Sequence, residues 1–537
     1  MICANETLSY RALLSTAAEI QHRLPDEPSG RVAILGHRRA VTPAYQLAVH
    51  LAGRSSVFLD PAAPERVTRQ IFASAGIRHP LDPRDLTAVT DGGRPSSTGS
   101  LDDEAYVLYT SGSTGAPKGV SVSQRNLASS TEARIDVYRD FGTPTFLVLS
   151  PFFFDSSVAG IWGTFAAGGT LVIADDDERR DPHAVAGLIE RHGVTHTLTV
   201  PGFHAELLHV LRPGTSLKVV ACAGEALPTT TVDRHFTVIP EVSLINEYGP
   251  TECTVWSTYR RYDHPGDSTI GGPIPGTAIR LLDENLRDVS PGTAGQIAIS
   301  GPGVAGGYLG DREETRAKFA DLTGPDGRAR RSYLTGDLAR RSPDGELEFL
   351  GRLDNEVKIR GSRVNLDAVE RVLAGIPEVA SAAVAQDAET GLCHTFVVRE
   401  AGSALDHRAL LDAVAGELGA VYVPDRVHFV DSLPRTTRDK VDRAGLLSAA
   451  RFALASGAEQ AADDGLAGRI ARAWAAVLDV PAGQLPEDAT FFELGGNSLS
   501  VLKLSRALAE IAGRPIPVAK VYRCATISEQ AELLCSR

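Results

Sequence analysis

The sequence predicts a multidomain α/β protein with a large N-terminal subdomain, a small α+β subdomain after it and a helical bundle at the C-terminal end. The 537 residues exceed what one compact core takes up, since a domain uses about 150 residues on average. Helix-like and strand-like stretches alternate over the first part of the chain, which favours parallel α/β layers. Residues 446–464 are rich in Ala, Ser and Gly, a composition typical of a linker before the helical end.

The composition fits a folded, soluble protein and excludes several functional classes. Apolar residues make up 43 % and charged residues 23 % of the chain, which is ordinary for a globular protein. The net charge of −13 argues against nucleic acid and anionic membranes as partners. The six cysteines are scattered without a C-x-x-C pair, so neither a disulfide framework nor a zinc site is indicated. No signal segment or membrane-length apolar run is present, and we expect a cytoplasmic protein.

The first elements follow from the spacing of apolar residues. Residues 8–24 carry Leu and Ile at helical spacing, and 31–35 is predicted to be a buried strand. A second helix is predicted over 43–51 and a second strand over 57–59. A polar stretch over 82–103 then leads to the most distinctive part of the sequence.

The segment Tyr109–Gly119, YTSGSTGAPKG, directly follows a short apolar strand and combines glycines, hydroxyls and one lysine. Glycine lets backbone N–H groups approach an anion, and Lys118 supplies a mobile positive charge, so the segment is suited to phosphate. A Walker loop is excluded because Pro117 stands where its second glycine must be. The alternative is an ordinary surface turn. The candidate hydroxyls are Thr110, Ser111 and Thr114.

A strand predicted over 146–149 precedes PFFFDSS (151–157), which places Asp155 among three phenylalanines. A carboxylate in such surroundings must be paired or exposed, because burying it alone costs several kcal/mol. It is either a ligand-binding carboxylate or a helix N-cap. Further strands are predicted over 170–174 and 195–200 around a helix over 184–192. The strand in 217–228 ends in a Gly turn, where α/β sheets bind ligands.

The segment NEYGPTE (246–252) follows another short strand and combines an aromatic ring with hard oxygen ligands. Tyr248 could stack on a base, while Thr251 and Glu252 offer oxygens suited to Mg²⁺. A structural turn is the alternative. Further on, Gly301, Gly303 and Gly306 spell the dinucleotide-binding pattern G-x-G-x-x-G. We reject that interpretation because no helix is predicted to open there.

YLTGDL (333–338) places Asp337 on a predicted tight Gly turn after a strand, where its two oxygens could accept both hydroxyls of a ribose. Arg352 would add a cation nearby. From residue 366 a small α+β unit is predicted, and it ends in LPRTTRDKVDR, which contains Lys440. On its own this lysine would be a solvated surface charge.

Residues 466–534 are predicted to form a small helical unit, with Ile470, Trp474 and Leu478 on one helix face. Within it, DATFFELGGNSL (488–499) has two glycines shortly before Ser498 at the start of a helix. A hydroxyl at the positive end of a helix dipole is well placed to carry a phosphodiester. The alternative is a simple N-cap serine.

These motifs, in this order, resemble the adenylation domains of nonribosomal peptide synthetases, members of the adenylate-forming superfamily, followed by a peptidyl carrier protein domain. The resemblance covers residues 8 to about 503, with departures at Gly306, Arg438 and Asp439 and a shortened N-terminus. It implies an adenylation N-terminal subdomain at 1–353, a C-terminal subdomain at 354–445 with its hinge at Asp354, the linker and a carrier domain at 465–537. The implied cofactors are ATP, Mg²⁺ and 4'-phosphopantetheine, attached at Ser498.

The resemblance also implies roles for individual residues. Asp155 would bind the α-ammonium of an amino acid, and Lys440 would bridge its carboxylate and the α-phosphate. The implied catalytic set is Thr110, Ser111, Thr114, Lys118, Glu252 and Lys440, with Mg²⁺ on Glu252. The implied nucleotide-binding set is Gly224, Asn246, Tyr248, Gly249, Thr251, Asp337 and Arg352. The implied side-chain pocket consists of Ser156, Ala159, Leu198, Ala221, Ala223, Glu247, Val255 and Trp256.

Four of the eight pocket residues are Ser or Ala, so a small substrate would leave a void. We therefore expect a bulky, aromatic-type amino acid, and a phenol or aryl amine tip would satisfy Glu247 if it faces inward. Plain phenylalanine, tryptophan or leucine rank second and a long cationic chain third. The implied activity is ATP-dependent formation of an aminoacyl-AMP and its transfer to the carrier thiol, in nonribosomal peptide or amino-acid-derived natural product biosynthesis, such as that of an antibiotic.

Two other functions stay open: an acyl or aryl-acid ligase of the same superfamily, and a non-catalytic nucleotide-binding scaffold. Asp155 and the carrier unit speak against the first, because a carboxylate facing a substrate without an ammonium would be unpaired. The retained Lys118, Glu252, Asp337 and Lys440 speak against the second. The implied partners are the amino acid, a phosphopantetheinyl transferase and downstream tailoring or condensation enzymes. Whether an MbtH-like protein is also a partner stays open.

Overall fold

The structure is a computed structural model of the chain. It describes residues 1–537 except 5, 28, 87–94, 111–116, 325–326, 354–355, 360–361, 388–390, 401, 404, 436–440, 457–464, 479–484, 486–488, 492–493, 495, 497 and 536–537, and the side chains of 420, 451–456 and 498–499. Most of residues 1–354 form one compact unit, and residues 355–537 form a second.

The first unit alternates helices and strands over its first 262 residues, as the sequence predicts. Up to residue 142 the elements are β1 Ile2–Cys3, β2 Glu6–Thr7, α1 Tyr10–His22, β3 Arg31–Leu35, α2 Thr42–Leu51, β4 Ser55–Leu59, α3 Glu65–Ala75, β5 Pro80–Leu81, β6 Glu104–Thr110, β7 Lys118–Ser123 and α4 Gln124–Val137. They continue with β8 Thr145–Val148, α5 Asp155–Ala166, β9 Thr170–Ile173, α6 Pro182–His192, β10 His196–Thr199, α7 Pro201–Leu207, β11 Val219–Ala223, α8 Thr229–Val238, β12 Ser243–Tyr248 and β13 Thr258–Tyr262.

The last part of this unit is mostly antiparallel. Its elements are β14 Gly272–Pro273, β15 Ala278–Leu282, β16 Gly295–Ser300, β17 Gly307–Tyr308, α9 Arg312–Lys318, β18 Phe319–Thr323, β19 Ala329–Arg341 and β20 Leu347–Arg352. The glycines of the G-x-G-x-x-G pattern lead into strand β17 and not into a helix, so the pattern does not open a helix at this point. Gly307 and Tyr308 form this short strand by pairing with β7.

Three sheets organise the described part of the first unit. One has the strand order β14-β13-β12-β11-β10-β8-β9-β1-β2, a second β17-β7-β6-β4-β3-β5, and the third β15-β16-β19-β18 with β20 on β19. Strands β9, β8, β10, β11 and β12 run parallel. They are buried along most of their lengths, which explains their nearly continuous apolar sequences. Their carboxyl ends therefore meet at one edge of the sheet.

The second unit begins with a small α+β part, as predicted from residue 366 onward. Its elements are β21 Glu356–Ile359, β22 Ser362–Asn365, α10 Leu366–Ala374, β23 Val379–Gln386, β24 Cys393–Arg399, α11 His407–Leu418, β25 Arg426–Phe429 and α12 Arg443–Ser456. Helix α12 occupies much of the stretch predicted to be a linker, and that prediction is wrong there. Leu446 and Ala450 are buried against Ala383 and Phe396, and this packing stabilises a helix that the composition did not suggest.

The elements described in the rest of the second unit are helices: α13 Leu466–Leu478, α14 Ser498–Ala512, α15 Val518–Arg523 and α16 Ile527–Cys535. Ile470, Trp474 and Leu478 are fully buried, which confirms the predicted helix face. The indole N–H of Trp474 donates to the side-chain oxygen of Gln530 at 2.8 Å. A buried hydrogen bond of this kind fixes the packing of α13 against α16.

Candidate functional site

Four of the predicted pocket residues lie side by side at the carboxyl ends of parallel strands. Leu198 of β10 pairs with Ala221 of β11, and Ala223 pairs with Glu247 of β12. Because side chains alternate along a strand and directly paired residues share a face, all four side chains lie on the same face of the sheet. Leu198, Ala221 and Glu247 are buried and Ala223 is half-buried.

Helix α5 supplies Asp155, Ser156 and Ala159 from its first turns. Asp155 is the first helical residue and Phe154 holds the N-cap position without a side-chain cap, so the N-cap alternative for Asp155 is wrong. The Asp155 carboxylate accepts a hydrogen bond from the Thr251 hydroxyl at 2.7 Å. The helix lies close to the sheet at Gly160, where a Cβ would come within 2.6 Å of the Phe146 ring. This half-buried carboxylate therefore stands beside the NEYGPTE segment.

The turn after NEYGPTE holds Val255 and Trp256 in a strained backbone. Thr254 has φ +58° and Val255 φ +81°, a region that β-branched residues rarely adopt. The Thr254 carbonyl accepts from the Ser130 hydroxyl at 2.8 Å, and its own hydroxyl donates to the Gly303 carbonyl at 2.7 Å. These bonds stabilise the turn. Strain of this kind is typical of positions that shape a site.

Glu247 does not await a substrate donor, and that part of the sequence interpretation is wrong. Its carboxylate accepts from the Arg134 guanidinium through both terminal nitrogens, at 2.6 and 2.8 Å, and from the Tyr138 hydroxyl at 2.5 Å. Burial lowers the pKa of Arg134, but Glu247 and Tyr138 outweigh this effect and raise it. Burial and the Glu247 charge raise the pKa of Tyr138 well above its ordinary value, so the phenol stays a donor. The carboxylate is satisfied within the protein.

Glu252, the predicted Mg²⁺ ligand, is buried, and one of its oxygens accepts from the Tyr308 hydroxyl at 2.6 Å. Lys118 begins strand β7, where it forms an ion pair with Glu314 at 2.7 Å and lies 5.6 Å from the centre of the Tyr308 ring. The lysine is thus held in place, contrary to the mobile charge predicted. An orienting role for Tyr308 had no signal in the sequence.

Asp337 lies inside strand β19 and not on a tight turn after it, so that prediction is wrong. The strand bulges at this point: one residue of β16 lies between Gln296 and Ala298, while three residues of β19 lie between their partners Leu338 and Leu334. Gly336, one of these three, has φ +77°. Such a bulge re-aims a side chain. Asp337 accepts from the Tyr248 hydroxyl at 2.5 Å and from the Arg352 guanidinium at 2.5 Å, one donor on each oxygen.

Three other predicted nucleotide-binding residues, Asn246, Gly224 and Gly249, contact or shape the protein backbone. The amide of Asn246 donates to the Thr269 carbonyl at 2.7 Å. Gly224 has φ +90° at the end of β11, a conformation that glycine adopts without strain. Gly249 contacts the next segment so closely that a Cβ would lie 2.4 Å from the Trp256 Cα.

Several predicted residues lie at or beyond the edge of what the structure describes. Thr110 ends β6 and pairs with Lys118, so this hairpin brackets the glycine loop. Ser498 begins helix α14, as predicted, but its side chain is not described. The predicted positions outside the described residues are Ser111, Thr114, Asp354 and Lys440.

Arg38 is a further buried cation that the sequence did not reveal. Its guanidinium donates to the carbonyls of Val148 and Ala174, and to that of Ser150 at 2.6 Å. Burial, followed by the charge of Arg179, lowers its pKa to about 10. Arg38 thus joins the carboxyl ends of β8 and β9 by hydrogen bonds. The chain continues from the end of β8 to Asp155 at the start of α5.

Three protein-family models match this chain. The model of the AMP-binding enzyme family matches residues 78–309, that of the AMP-binding enzyme C-terminal domain 368–440, and that of the phosphopantetheine attachment site 468–534. A solved structure of holo-PA1221, described as an NRPS protein containing adenylation and PCP domains bound to a vinylsulfonamide inhibitor, superposes with a TM-score of 0.84 at 27 % identity. The match covers 100 % of this chain and 93 % of that one.

The chain combines an adenylation domain of the nonribosomal peptide synthetase type with a peptidyl carrier domain. Bacitracin synthase 3 of Bacillus licheniformis is 31 % identical over 99 % of this chain, and phosphinothricin tripeptide synthetase PhsB of Streptomyces viridochromogenes is 34 % identical over 96 %. The chain spans only 9 % and 46 % of the lengths of these two relatives. The predicted family and fold class are confirmed, and the domains are those of an AMP-forming ligase that uses ATP and Mg²⁺ and of a carrier of 4'-phosphopantetheine.

The donor sets of this adenylation site fit the groups that the family uses. Glu252 and Thr251 offer only oxygen atoms, which suits Mg²⁺, an ion that one or two carboxylates and phosphate oxygens usually hold. Within the described part of the chain, no group of three or more His, Cys, Asp or Glu side chains forms a separate metal cage. Each Asp337 oxygen accepts one hydrogen bond and has a second lone pair that can accept another. Among the described helices, none is long and apolar enough to cross a membrane.

Proposed function

We propose that the chain activates an amino acid with MgATP as an aminoacyl-AMP and then loads it as a thioester on the phosphopantetheine arm of its own carrier domain. The observation that carries this proposal is Asp155, a half-buried carboxylate that Thr251 fixes at the start of helix α5, which also carries the predicted pocket residues Ser156 and Ala159. A fixed anion there is complementary to the α-ammonium of an amino acid. The carrier domain in the same chain provides the acceptor.

In this proposal the protein contributes positioning and charge, and none of its side chains acts as a nucleophile. Asp337, held by Tyr248 and Arg352, would accept the ribose hydroxyls. Glu252, oriented by Tyr308, would hold Mg²⁺, which neutralises charge on the phosphates when bound. Lys118 and the hydroxyls of Thr110, Ser111 and Thr114 would contact phosphate, and Lys440 would bridge the substrate carboxylate and the α-phosphate.

For the side chain of the substrate we propose a bulky, uncharged amino acid of apolar or aromatic type. Leu198, Val255 and Trp256 supply apolar walls, and the small Ala221 and Ala223 keep side-chain volume low on the sheet. Glu247 gives no preference for a phenol or aryl amine tip, because its carboxylate already accepts three hydrogen bonds. Plain phenylalanine, tryptophan and leucine therefore rank with tyrosine.

An acyl or aryl-acid ligase is the second candidate, and the same carboxylate disfavours it. An acid without an ammonium would leave Asp155 facing it without a counter-charge, which costs more than a lost neutral hydrogen bond. A non-catalytic scaffold would not need Glu252 and Asp337 to be held by dedicated donors. The proposed partners are a phosphopantetheinyl transferase and downstream condensation or tailoring enzymes, with an MbtH-like protein still open. The scattered cysteines support the proposal of a cytoplasmic location.

The test measures the two half-reactions separately. Amino-acid-dependent exchange of pyrophosphate into ATP across the twenty amino acids reports activation, and the intact mass of the holo carrier reports loading. We expect Ser498→Ala to retain exchange and to lose covalent loading, because adenylation needs no thiol. If none of the twenty amino acids supports pyrophosphate exchange, the proposed activation is refuted. Covalent loading of the Ser498→Ala protein would refute the carrier assignment.

A further inference from the structure

Helix α4 inserts a cation among the predicted pocket residues. The Arg134 guanidinium carbon lies 4.3 Å from the centre of the Trp256 ring and 5.3 Å from that of Tyr138. Only 8 % of the Arg134 side chain is exposed, against 2 % for Glu247. Two of the residues that it contacts, Trp256 and Glu247, belong to the pocket that the sequence predicts.

Helix α5 is shaped to admit this arginine. Gly163 lies one turn after Ala159, and a Cβ at Gly163 would come within 3.1 Å of the Arg134 Cδ. Ser156, Ala159 and Gly163 share one helix face because of their spacing. The stem of Arg134 therefore crosses the same face of α5 that supplies two pocket residues.

The contacts of Arg134 are those that a cationic substrate would seek. Glu247 offers a bidentate carboxylate, Tyr138 adds a donor to the same carboxylate, and Trp256 offers an aromatic face. A carboxylate with an aromatic face is the usual recognition set for a guanidinium or an ammonium. In this chain the set is already occupied from within.

We propose that Arg134 determines the specificity of the pocket, because its guanidinium takes the position in which Glu247 could bind a cationic side chain of a substrate. The wild-type pocket then accepts uncharged side chains and rejects ornithine and lysine by charge repulsion and lack of space. This inference rests on the proposed function. Amino acids with a long cationic side chain, which rank third in the sequence analysis, are then excluded as substrates.

The physical basis is the cost of a buried charge without its counter-charge. Removal of one partner of a buried ion pair leaves the other uncompensated in a poorly solvated site. Without the arginine, Glu247 would regain its charge complement only from a cation of the substrate. A variant that lacks Arg134 should therefore select for the side chains that the wild type rejects.

The test compares Arg134→Ala with the double variant Arg134→Ala/Glu247→Gln. Pyrophosphate exchange is measured with ornithine, lysine and the best uncharged amino acid of the wild type. Arg31→Ala is the matched control, since Arg31 donates to Glu104 through two nitrogens at 2.6 and 3.1 Å in a different sheet. Thermal unfolding of each variant with and without ornithine, and with the ornithyl sulfamoyl adenosine, provides a binding readout without turnover.

We expect Arg134→Ala to raise the kcat/KM ratio of ornithine to the uncharged amino acid at least about 100-fold. The Tm of this variant should rise with ornithine or its analogue. The double variant and Arg31→Ala should show neither change. An unchanged ratio and an unchanged Tm in folded Arg134→Ala would overturn the inference, as would an equal gain in the double variant. If neither the wild type nor any variant shows exchange with any amino acid, the proposed function is refuted. The unfolding measurements would then still show whether Arg134 controls the binding of ornithine.

Discussion

The backbone contact between Gly249 and Trp256 gives a prediction that can be worked out from distances. A Cβ added at Gly249 would lie 2.4 Å from the Trp256 Cα and 2.8 Å from the Val255 carbonyl oxygen. Ordinary van der Waals contact begins near 3.4 Å, so Gly249→Ala falls about 1 Å short. The obstacle is backbone of the strained turn at Thr254 and Val255, which cannot yield as a flexible side chain would.

We expect Gly249→Ala to displace Trp256 and the pocket wall by roughly 1 Å and to lower the kcat/KM of pyrophosphate exchange roughly 100-fold, the usual effect of a misplacement of this size. Overpacking should also lower the free energy of unfolding by about 1–3 kcal/mol. Exchange is measured with saturating ATP, and unfolding by urea denaturation followed by tryptophan fluorescence.

Gly272→Ala is the control for this experiment. Gly272 is also half-buried, belongs to β14 of the same sheet and has nothing within 4 Å of an added Cβ. This variant should keep exchange within about twofold and unfold within ~0.5 kcal/mol of the wild type. Normal exchange by Gly249→Ala, or an equal loss in both variants, would refute the argument that close backbone contact shapes the pocket.

Two further predictions concern single charges and hydrogen bonds. Lys440→Ala should lower exchange by about 10²–10³-fold, because a positioned charge in a closed site is worth ~3–4 kcal/mol, while the exposed Lys503→Ala keeps full activity; near-normal exchange would return Lys440 to a surface charge. Tyr308→Phe should reduce the free energy of unfolding by about 1.5–3 kcal/mol, since its hydroxyl donates to a buried carboxylate. Tyr262→Phe should cost less, because its hydroxyl makes only neutral hydrogen bonds: it donates to carbonyls at 3.2 and 3.4 Å and accepts from the Thr269 N–H at 3.2 Å. Equal urea midpoints would contradict this.

Much of the fold could be predicted because it depends on local spacing. The periodicity of apolar residues predicted helix α2 within one residue of its start, and Ile470, Trp474 and Leu478 form the buried face as expected. The pocket residues on β10, β11 and β12 were implied by the family resemblance. They lie together because parallel strands of similar length end at the same edge of a sheet. The order of the motifs was sufficient to predict the family.

The tertiary structure alone decided which charges meet. Arg134 and Glu247 are 113 residues apart in the chain and Tyr308 and Glu252 are 56 apart, and no local pattern marks such pairs because each residue type is usually solvated at a surface. The bulge that aims Asp337 depends on the register between β16 and β19, which is a property of two strands and not of one. The sequence by itself thus determined most of the elements and the family. The polarity of the pocket depends on the tertiary structure, because the charge of the buried Glu247 carboxylate is neutralised by Arg134, which only folding brings next to it.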